Sequence, residues 1–418
     1  MDVLILGAGM AGLTAARALA ERGIRVCVLE VRPRVGGRIL SQKVEGGGTV
    51  ELGAEFVHGA FEEILGVARG AHLALHELDR TGESERATNL RHEAFSAIDA
   101  LLAHASTTED ESFQHLVDRV DLDSKTKLRA LMLVEGYHAA DPAKLGVLSL
   151  LDATAADEQT GAEHQFRFVH GYGGFVDALF EQLVPELCTM QLEAVVTAIA
   201  WKRKHVVIRL ATGAELAAPQ VVITVPLGVL KAGAIAFSPP LPDKETALRR
   251  LEMGATARIS LQLRDEAWPG QDAFSADGSL FTGQLPFPIW WISHPAPRPV
   301  VTGWGGRGGA LALTALGETE RATVAVRELG AALGLEAHRL RESVVGAFHH
   351  DWLSDPFSRG AYSYAGVSGR HAGAELGAPV DSTLFFAGEA TQSDGRNATV
   401  HGAVASGQRA AKQVLAGG

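Results

Sequence analysis

The sequence predicts an α/β chain, α+β overall. A Rossmann-like dinucleotide-binding domain is joined to a second domain of mixed sheet and helices. Three observations predict it. The apolar run Val3-Leu4-Ile5-Leu6 feeds Gly7-Ala8-Gly9-Met10-Ala11-Gly12, an alanine-rich helix, and a second apolar run ending in Glu30. Val221 to Val225 reads as another buried strand, stopped by Pro226, and beyond Pro239 helical spacing gives way to alternating strands. A chain of 418 residues is too long for one ordinary core, so two domains are expected.

Each part of the opening stretch has a physical task. Gly7 permits the tight turn, Gly9 lacks the Cβ that would hold a pyrophosphate off the backbone, and Gly12 lets helix and strand pack closely. The unpaired N–H groups and dipole of the following helix attract phosphate, Gly23 stops that helix, and Glu30 is placed to accept from a ribose.

Composition narrows the class. Hydrophobic residues at 46% and charged residues at 21% describe a globular chain, and a net charge of −11 argues against a nucleic-acid partner. Two cysteines, Cys27 and Cys188, cannot form a disulfide framework, which fits a reducing compartment. No signal peptide precedes the first strand, and the longest apolar stretches are interrupted, as Val221 to Leu230 is by Pro226 and Gly228. A cytoplasmic protein without a membrane partner is expected, and Asn397-Ala398-Thr399 is a coincidental glycosylation match.

After Glu30, Arg32 and Arg38 flank the pair Gly36-Gly37, where planar multi-donor side chains can reach nucleotide phosphates. A glycine turn at Gly46 to Gly48 leads into Thr49 to Gly59, whose Gly53 and Ala54 suit close backbone approach to a flat ring. Together the GxGxxG start, the E-x-R-x-R-x-G-G-R segment and the L-G-A segment resemble the flavin-containing amine oxidases: monoamine oxidases, polyamine oxidases and lysine-specific histone demethylases.

Residues from about 60 to 165 read as helical, with apolar spacing in Ala94 to Ala103, Phe113 to Val120 and Leu128 to Leu133, broken at Asp141-Pro142. His104, His115 and His138 read as surface or capping residues. Gly171 to Phe175 starts another helix, and Ala194 to Ile199 with His205 to Leu210 reads as a hairpin. Thr256 to Leu263 is an alternating strand with one apolar face, followed by strands near Leu280, Ile289 to Ile292 and Val300 to Trp304, then a helix from about Glu318 to Leu333. Trp290, Trp291 and Trp304 are candidates to line a cavity, with core packing the commoner role. Leu384 to Thr391 is a strand ending in Gly388-Glu389, and a last helix begins at Thr399-Val400. The resemblance implies that the Rossmann-like domain is built from discontinuous segments, and divides the chain into a cofactor domain of 1–75, 165–235 and 375–418 and a substrate domain of 76–164 and 236–374.

The resemblance implies non-covalent FAD, because Ala361 stands where monoamine oxidases carry the flavin-bonding cysteine. It assigns cofactor contacts to Gly7, Gly9, Gly12, Glu30, Arg32, Arg38, Gly53, Ala54, Glu55, Val196, Trp352, Gly388, Glu389, Thr399 and Val400. It implies hydride transfer from the carbon beside a neutral amine to the flavin, imine hydrolysis, and reoxidation by O2 giving hydrogen peroxide. Tyr362 matches one wall of the family's aromatic cage and His58 a histidine of the substrate tunnel. Arg258 stands where the family normally has a lysine that holds water against the flavin. No metal is implied, and His349-His350-Asp351 reads as packing or surface within an apolar strand. With no heptad pattern for a partner-binding coiled coil, a small primary or secondary amine, a polyamine among the candidates, is favoured over a histone tail. The alternatives are an L-amino-acid oxidase or desaturase in which Arg258 binds a carboxylate, and a flavin-bound binding protein without turnover. Oligomeric state is left open.

Overall fold

The computed structural model describes residues 1–78, 85–160, 164–264, 271–274, 278–293, 298–392 and 394–417. Four-residue runs such as VLIL and VCVL are apolar on both faces, QVVI departs from this only at Gln220, which donates to the Ser382 carbonyl at 3.0 Å, and the three form the middle of a parallel sheet buried on both sides. Its five strands lie in the order Leu384–Phe386, Gln220–Ile223, Val3–Leu6, Val26–Leu29, Cys188–Gln191. These come from widely separated parts of the chain, so the sheet is discontinuous in sequence.

One face is covered by the helices Met10–Ala20 and Val400–Ala416. They approach so closely that a Cβ on Gly407 would stand 2.3 Å from the Ala11 carbonyl oxygen. The other face packs against Val196–Lys202, His205–Leu210 and Glu215–Ala218, an antiparallel meander extended by the parallel strand Ala236–Ser238. Cys27 and Cys188 sit on opposite faces of the sheet: the register partner of Cys188 is Val26, and that of Cys27 is Thr189.

The second layer system is an antiparallel sheet in the order Ser279–Phe281, Ile289–Ile292, Val300–Gly305, Ala257–Leu263, Val344–Phe348, backed by the helices Arg307–Leu313, Glu318–Ala332 and Ala337–Ser343. Helices Glu85–Leu102, Phe113–Arg119, Ser124–Gly136 and Val147–Thr160 form a separate helical part around its own core.

Three expectations are corrected here. The stretch from 60 to 165 is not wholly helical: Leu75–Glu77 pairs with Gln165–Phe168, which also pairs with Phe56–His58. A three-residue strand is too short to show a period of two, and 79–84 and 161–163 lie outside the described residues. The strand Ala257–Leu263 alternates as expected, but all seven residues are buried. Its polar face is covered too, with Ser260 Oγ 2.8 Å from Thr302 Oγ1 and Gln262 donating to the Glu45 carbonyl at 2.8 Å. His349, His350 and Asp351 follow the strand that ends at Phe348 and do not lie in it. His350 meets Asp355, and Asp351 meets Arg321. Among the described residues no group of His, Cys, Asp and Glu could hold a metal ion, and no helix is long and apolar enough to cross a membrane.

Candidate active site

One cavity of about 390 Å³ runs from the turn after the first strand to the start of the last helix, a size suited to a cofactor or large ligand. At its first end Gly7 has φ +101°, and the helix begins at Met10 with extended Gly9 as its cap. No side chain caps this helix start and no acidic residue occupies its first turn. A Cβ built on Gly9 would meet only the Cα of Gly37, at 3.9 Å, so the space before the helix N–H groups is open. Gly12 has another task. Its Cβ would stand 1.9 Å from the Gly7 carbonyl oxygen, so only glycine lets helix and strand pack this closely, and it does not line the cavity.

Glu30 is buried at the end of the second strand. Its Oε2 accepts from the Ala8 N–H at 2.7 Å and its Oε1 from the Arg32 N–H at 2.9 Å. Both oxygens keep lone pairs for a further donor, and Val196 and Thr197 line the cavity with it.

The two arginines expected at phosphates are held by carboxylates. Arg32 Nη2 bonds both oxygens of Asp355 at 2.8 and 2.9 Å, and His350 Nε2 lies 2.8 Å from the same carboxylate. Burial opposes ionisation of Asp355, but these bonds hold its carboxyl well below the usual range. Arg38 Nη1 donates to the Ala361 carbonyl at 2.7 Å and to Glu389 Oε1 at 2.9 Å. Both arginines still border the cavity, but their charge is largely answered within the protein. The uncapped helix start is therefore the better anion site.

Glu389 ties three segments together. Besides Arg38, its carboxylate accepts from Ser363 Oγ at 2.6 Å and from the Ala398 N–H at 2.9 Å. Ala361, Tyr362, Thr399 and Val400 all line the cavity beside it. Thr399 caps the last helix by accepting from the Gly402 N–H at 3.0 Å. Gly388 has φ +128° and donates its N–H to Ser406 Oγ at 2.8 Å, which keeps its turn against the helix. Trp352 Nε1 donates to the Leu52 carbonyl at 2.7 Å, and a Cβ on Gly53 would stand 1.9 Å from the Arg38 carbonyl oxygen. Gly53, Ala54 and Trp352 thus form one wall.

Arg258, Trp304 and Tyr362 line the same cavity. The Tyr362 hydroxyl donates to the Tyr137 carbonyl at 2.9 Å, and burial pushes its pKa far up. Arg258 donates from Nη1 to the Gly53 carbonyl at 3.2 Å and from Nη2 to Glu55. Its Nε is buried with no hydrogen-bond partner among the described residues.

Glu55 and His58 lie away from the cavity lining. Glu55 points into the buried pair of arginines formed by Arg167 and Arg258. His58 sits on a strand whose other face is core, with Nδ1 2.9 Å from Gln165 Nε2 and its ring 6.4 Å from that of Tyr137. Of the tryptophans, Trp290 is core, Trp291 donates to Glu55, and Trp304 lines the cavity. Sequence reasoning missed Thr224, Val225, Pro226, Val229 and Ile235, which line the cavity beyond the central strand. Their signal was the proline that stops the strand at its carboxyl end, where open parallel sheets bind ligands.

These residues fit a dinucleotide flavin. The glycine cradle, the buried Glu30 carboxylate and the uncapped helix start stand at one end. The orphaned Arg258 N–H and the small-residue wall stand at the other.

Comparison with known proteins agrees. The family model for flavin containing amine oxidoreductase matches residues 103–415, and that for an NAD(P)-binding Rossmann-like domain matches residues 5–69. Lysine-specific histone demethylase 1 homolog 3 of Arabidopsis thaliana is 28% identical over 99% of this chain, which spans only 30% of that protein. Polyamine oxidase 4 of Oryza sativa subsp. japonica is 27% identical over 99% of this chain and 88% of its own length. A structure of wild-type putrescine oxidase bound to putrescine superposes with a TM-score of 0.81 at 23% identity, covering 99% of both chains, and so shares the fold.

Proposed function

The chain belongs to the flavin-containing amine oxidoreductases, and on that premise we propose that it is an FAD-dependent oxidoreductase acting on small primary or secondary amines, polyamines among them. The observation that carries this reading is the single cavity joining a dinucleotide cradle at Gly7, Gly9 and Glu30 to a wall of Tyr362, Trp304 and Arg258. When bound, FAD would supply the acceptor for a hydride equivalent from the carbon beside the amine, with O2 as the final electron acceptor, reduced to hydrogen peroxide, and with hydrolysis of the imine product in water.

The protein's part is to bind, orient and exclude water. The helix start at Met10 and the Glu30 carboxylate hold the nucleotide half. Gly53, Ala54, Thr399 and Val400 allow close approach of backbone to the ring. Ala361 carries no thiol, so the cofactor is held without a covalent bond. The Tyr362 ring, fixed by its bond to the Tyr137 carbonyl, offers a π face to the incoming amine. The cofactor domain is taken as 1–75, 165–235 and 375–418 and the substrate domain as 76–164 and 236–374. A reducing, cytoplasmic location is part of this reading, in keeping with two free cysteines.

Arg258 is already paired with Glu55, so a substrate carboxylate would have to compete for that cation. This favours amines over α-amino acids. The reading is tested by isolating the protein, which is expected to be yellow and to release its flavin on acid precipitation, and by measuring peroxide release across amines and amino acids. A protein that stays colourless after incubation with FAD contradicts it.

A further inference from the structure

Arg32, Arg38, Arg258 and Arg359 border the cavity. The first three already meet a carboxylate: Arg32 is bound to Asp355, Arg38 to Glu389 and Arg258 to Glu55. The fourth differs. Among the described residues no carboxylate, carbonyl or ring engages the Arg359 side chain, and the residue is exposed.

Its main chain, by contrast, is fixed on both sides. The Arg359 N–H donates to the Asp355 carbonyl at 2.8 Å. The Asp355 carboxylate holds Arg32, whose own N–H bonds Glu30 at 2.9 Å, so this turn is tied to the nucleotide end of the cavity. From the other side the helix Leu227–Lys231 sits directly on it: a Cβ on Gly228 would stand 2.6 Å from the carbonyl oxygens of both Ser358 and Arg359. With the N–H bonded and the carbonyl covered, the exposed part of Arg359 is its side chain. The backbone there is left-handed, with φ +55° at Arg359 and +134° at Gly360, and Ser358 Oγ closes the turn by donating to the Gly360 carbonyl at 3.0 Å. A side chain other than glycine's costs energy in this region and persists where the surroundings impose it, as they do at ligand sites.

A dinucleotide brings a doubly charged diphosphate to a chain whose own net charge is −11, so the field of the whole protein opposes its entry. The start of the helix Met10–Ala20 offers only about half a positive charge against it. We propose that Arg359 is a cofactor-binding residue that answers the diphosphate of FAD from the exposed edge of the cavity, supplying the full charge that the helix start lacks. It thereby takes the task that the sequence pattern gives to Arg32 and Arg38, both of which the structure commits to carboxylates. The inference rests on the assignment of the cavity to FAD.

The test is the release of FAD from the loaded protein, followed by the fluorescence of the freed flavin at low salt and at about 0.5 M salt, in the wild type, Arg359→Asn and Arg359→Lys. Asparagine tolerates left-handed backbone, so the charge is removed without added strain. Arg359→Asn is expected to release FAD about tenfold faster at low salt, with the gap narrowing at high salt. Arg359→Lys keeps the charge but not the planar fork, and is expected to stay within about threefold of the wild type. Flavin-stripped proteins give a second readout. Arg359→Asn is expected to weaken binding of ADP, which carries the diphosphate, by a similar factor and to leave binding of riboflavin, which lacks it, unchanged. If stripped protein does not recover, the release rates decide the matter. An Arg359→Asn protein with unchanged FAD release overturns the proposal while leaving the flavin assignment intact, and so does an equal loss of ADP and riboflavin binding. Failure of the wild type to bind FAD overturns both.

Discussion

Replacing Glu51 by glutamine is expected to stabilise the protein at alkaline pH and to do little at acid pH. Glu51 ends the strand Thr49–Glu51 and is 8% exposed. Its carboxylate accepts from Ser41 Oγ at 2.9 and 2.7 Å and from the Tyr172 N–H at 2.7 Å, which ties this strand to the helix Gly173–Glu181. Burial is the largest influence and pushes its pKa from the ordinary 4.5 to about 7, the hydrogen bonds opposing it only in part. The folded chain therefore keeps a proton that the unfolded chain releases across that window. Stability falls as pH rises through it and levels off above the folded pKa. The shift corresponds to about 3 kcal/mol. Glutamine keeps an acceptor for the Tyr172 N–H and does not titrate. The stability difference between variant and wild type, followed by denaturation of the FAD-loaded proteins from about pH 4 to about pH 8, should grow from near zero to about 3 kcal/mol in favour of the variant. A difference that does not change with pH, or one favouring the wild type at alkaline pH, refutes the reasoning.

Three further outcomes are expected. Gly9→Ala should weaken FAD binding at little cost in stability, because its Cβ meets only Gly37 in the protein, whereas Gly12→Ala should unsettle the fold itself through its contact with the Gly7 carbonyl; FAD titration beside thermal denaturation separates the two. Lys244→Met should cost about 3 kcal/mol in denaturant titrations, since Nζ donates to the Glu375, Leu376 and Ala378 carbonyls at 2.7, 2.9 and 2.5 Å and their loss leaves buried acceptors unpaired; a change below about 1 kcal/mol counts against it. Tyr362→Phe should lose about 1 kcal/mol with its bond to Tyr137 yet keep turnover, while Tyr362→Ala should raise KM by about tenfold in peroxide assays; equal kinetics in both variants would remove the ring from substrate binding.

The parts of the fold that repeat a local pattern were legible in the sequence. Val3–Leu6, the glycine turn, the helix Met10–Ala20 and Val26–Leu29 lie in one continuous stretch, and each step has its own signal in turn chemistry or apolar runs. The apolar runs at Gln220–Ile223 and Leu384–Phe386 were also visible, although their return to the first sheet was implied only by the family resemblance. What depended on distant partners was not. Arg32 looks like a phosphate ligand until Asp355 is brought beside it, and Glu55 looks like a cofactor contact until Arg167 and Arg258 close on it. A charged side chain in a sequence does not show its counterion. Likewise the strand Ala257–Leu263 alternates as if one face met water, and only the assembled structure covers Ser260 and Gln262.

The central claim, that the cavity holds a flavin which takes electrons from an amine, is tested most directly by anaerobic rapid mixing of the FAD-loaded protein with a panel of primary and secondary amines, polyamines and amino acids. Bleaching of the flavin absorbance, saturating with concentration for at least one amine, is the predicted result. A loaded protein whose flavin dithionite reduces but no amine in the panel bleaches contradicts the account, and assigns the fold to binding without turnover.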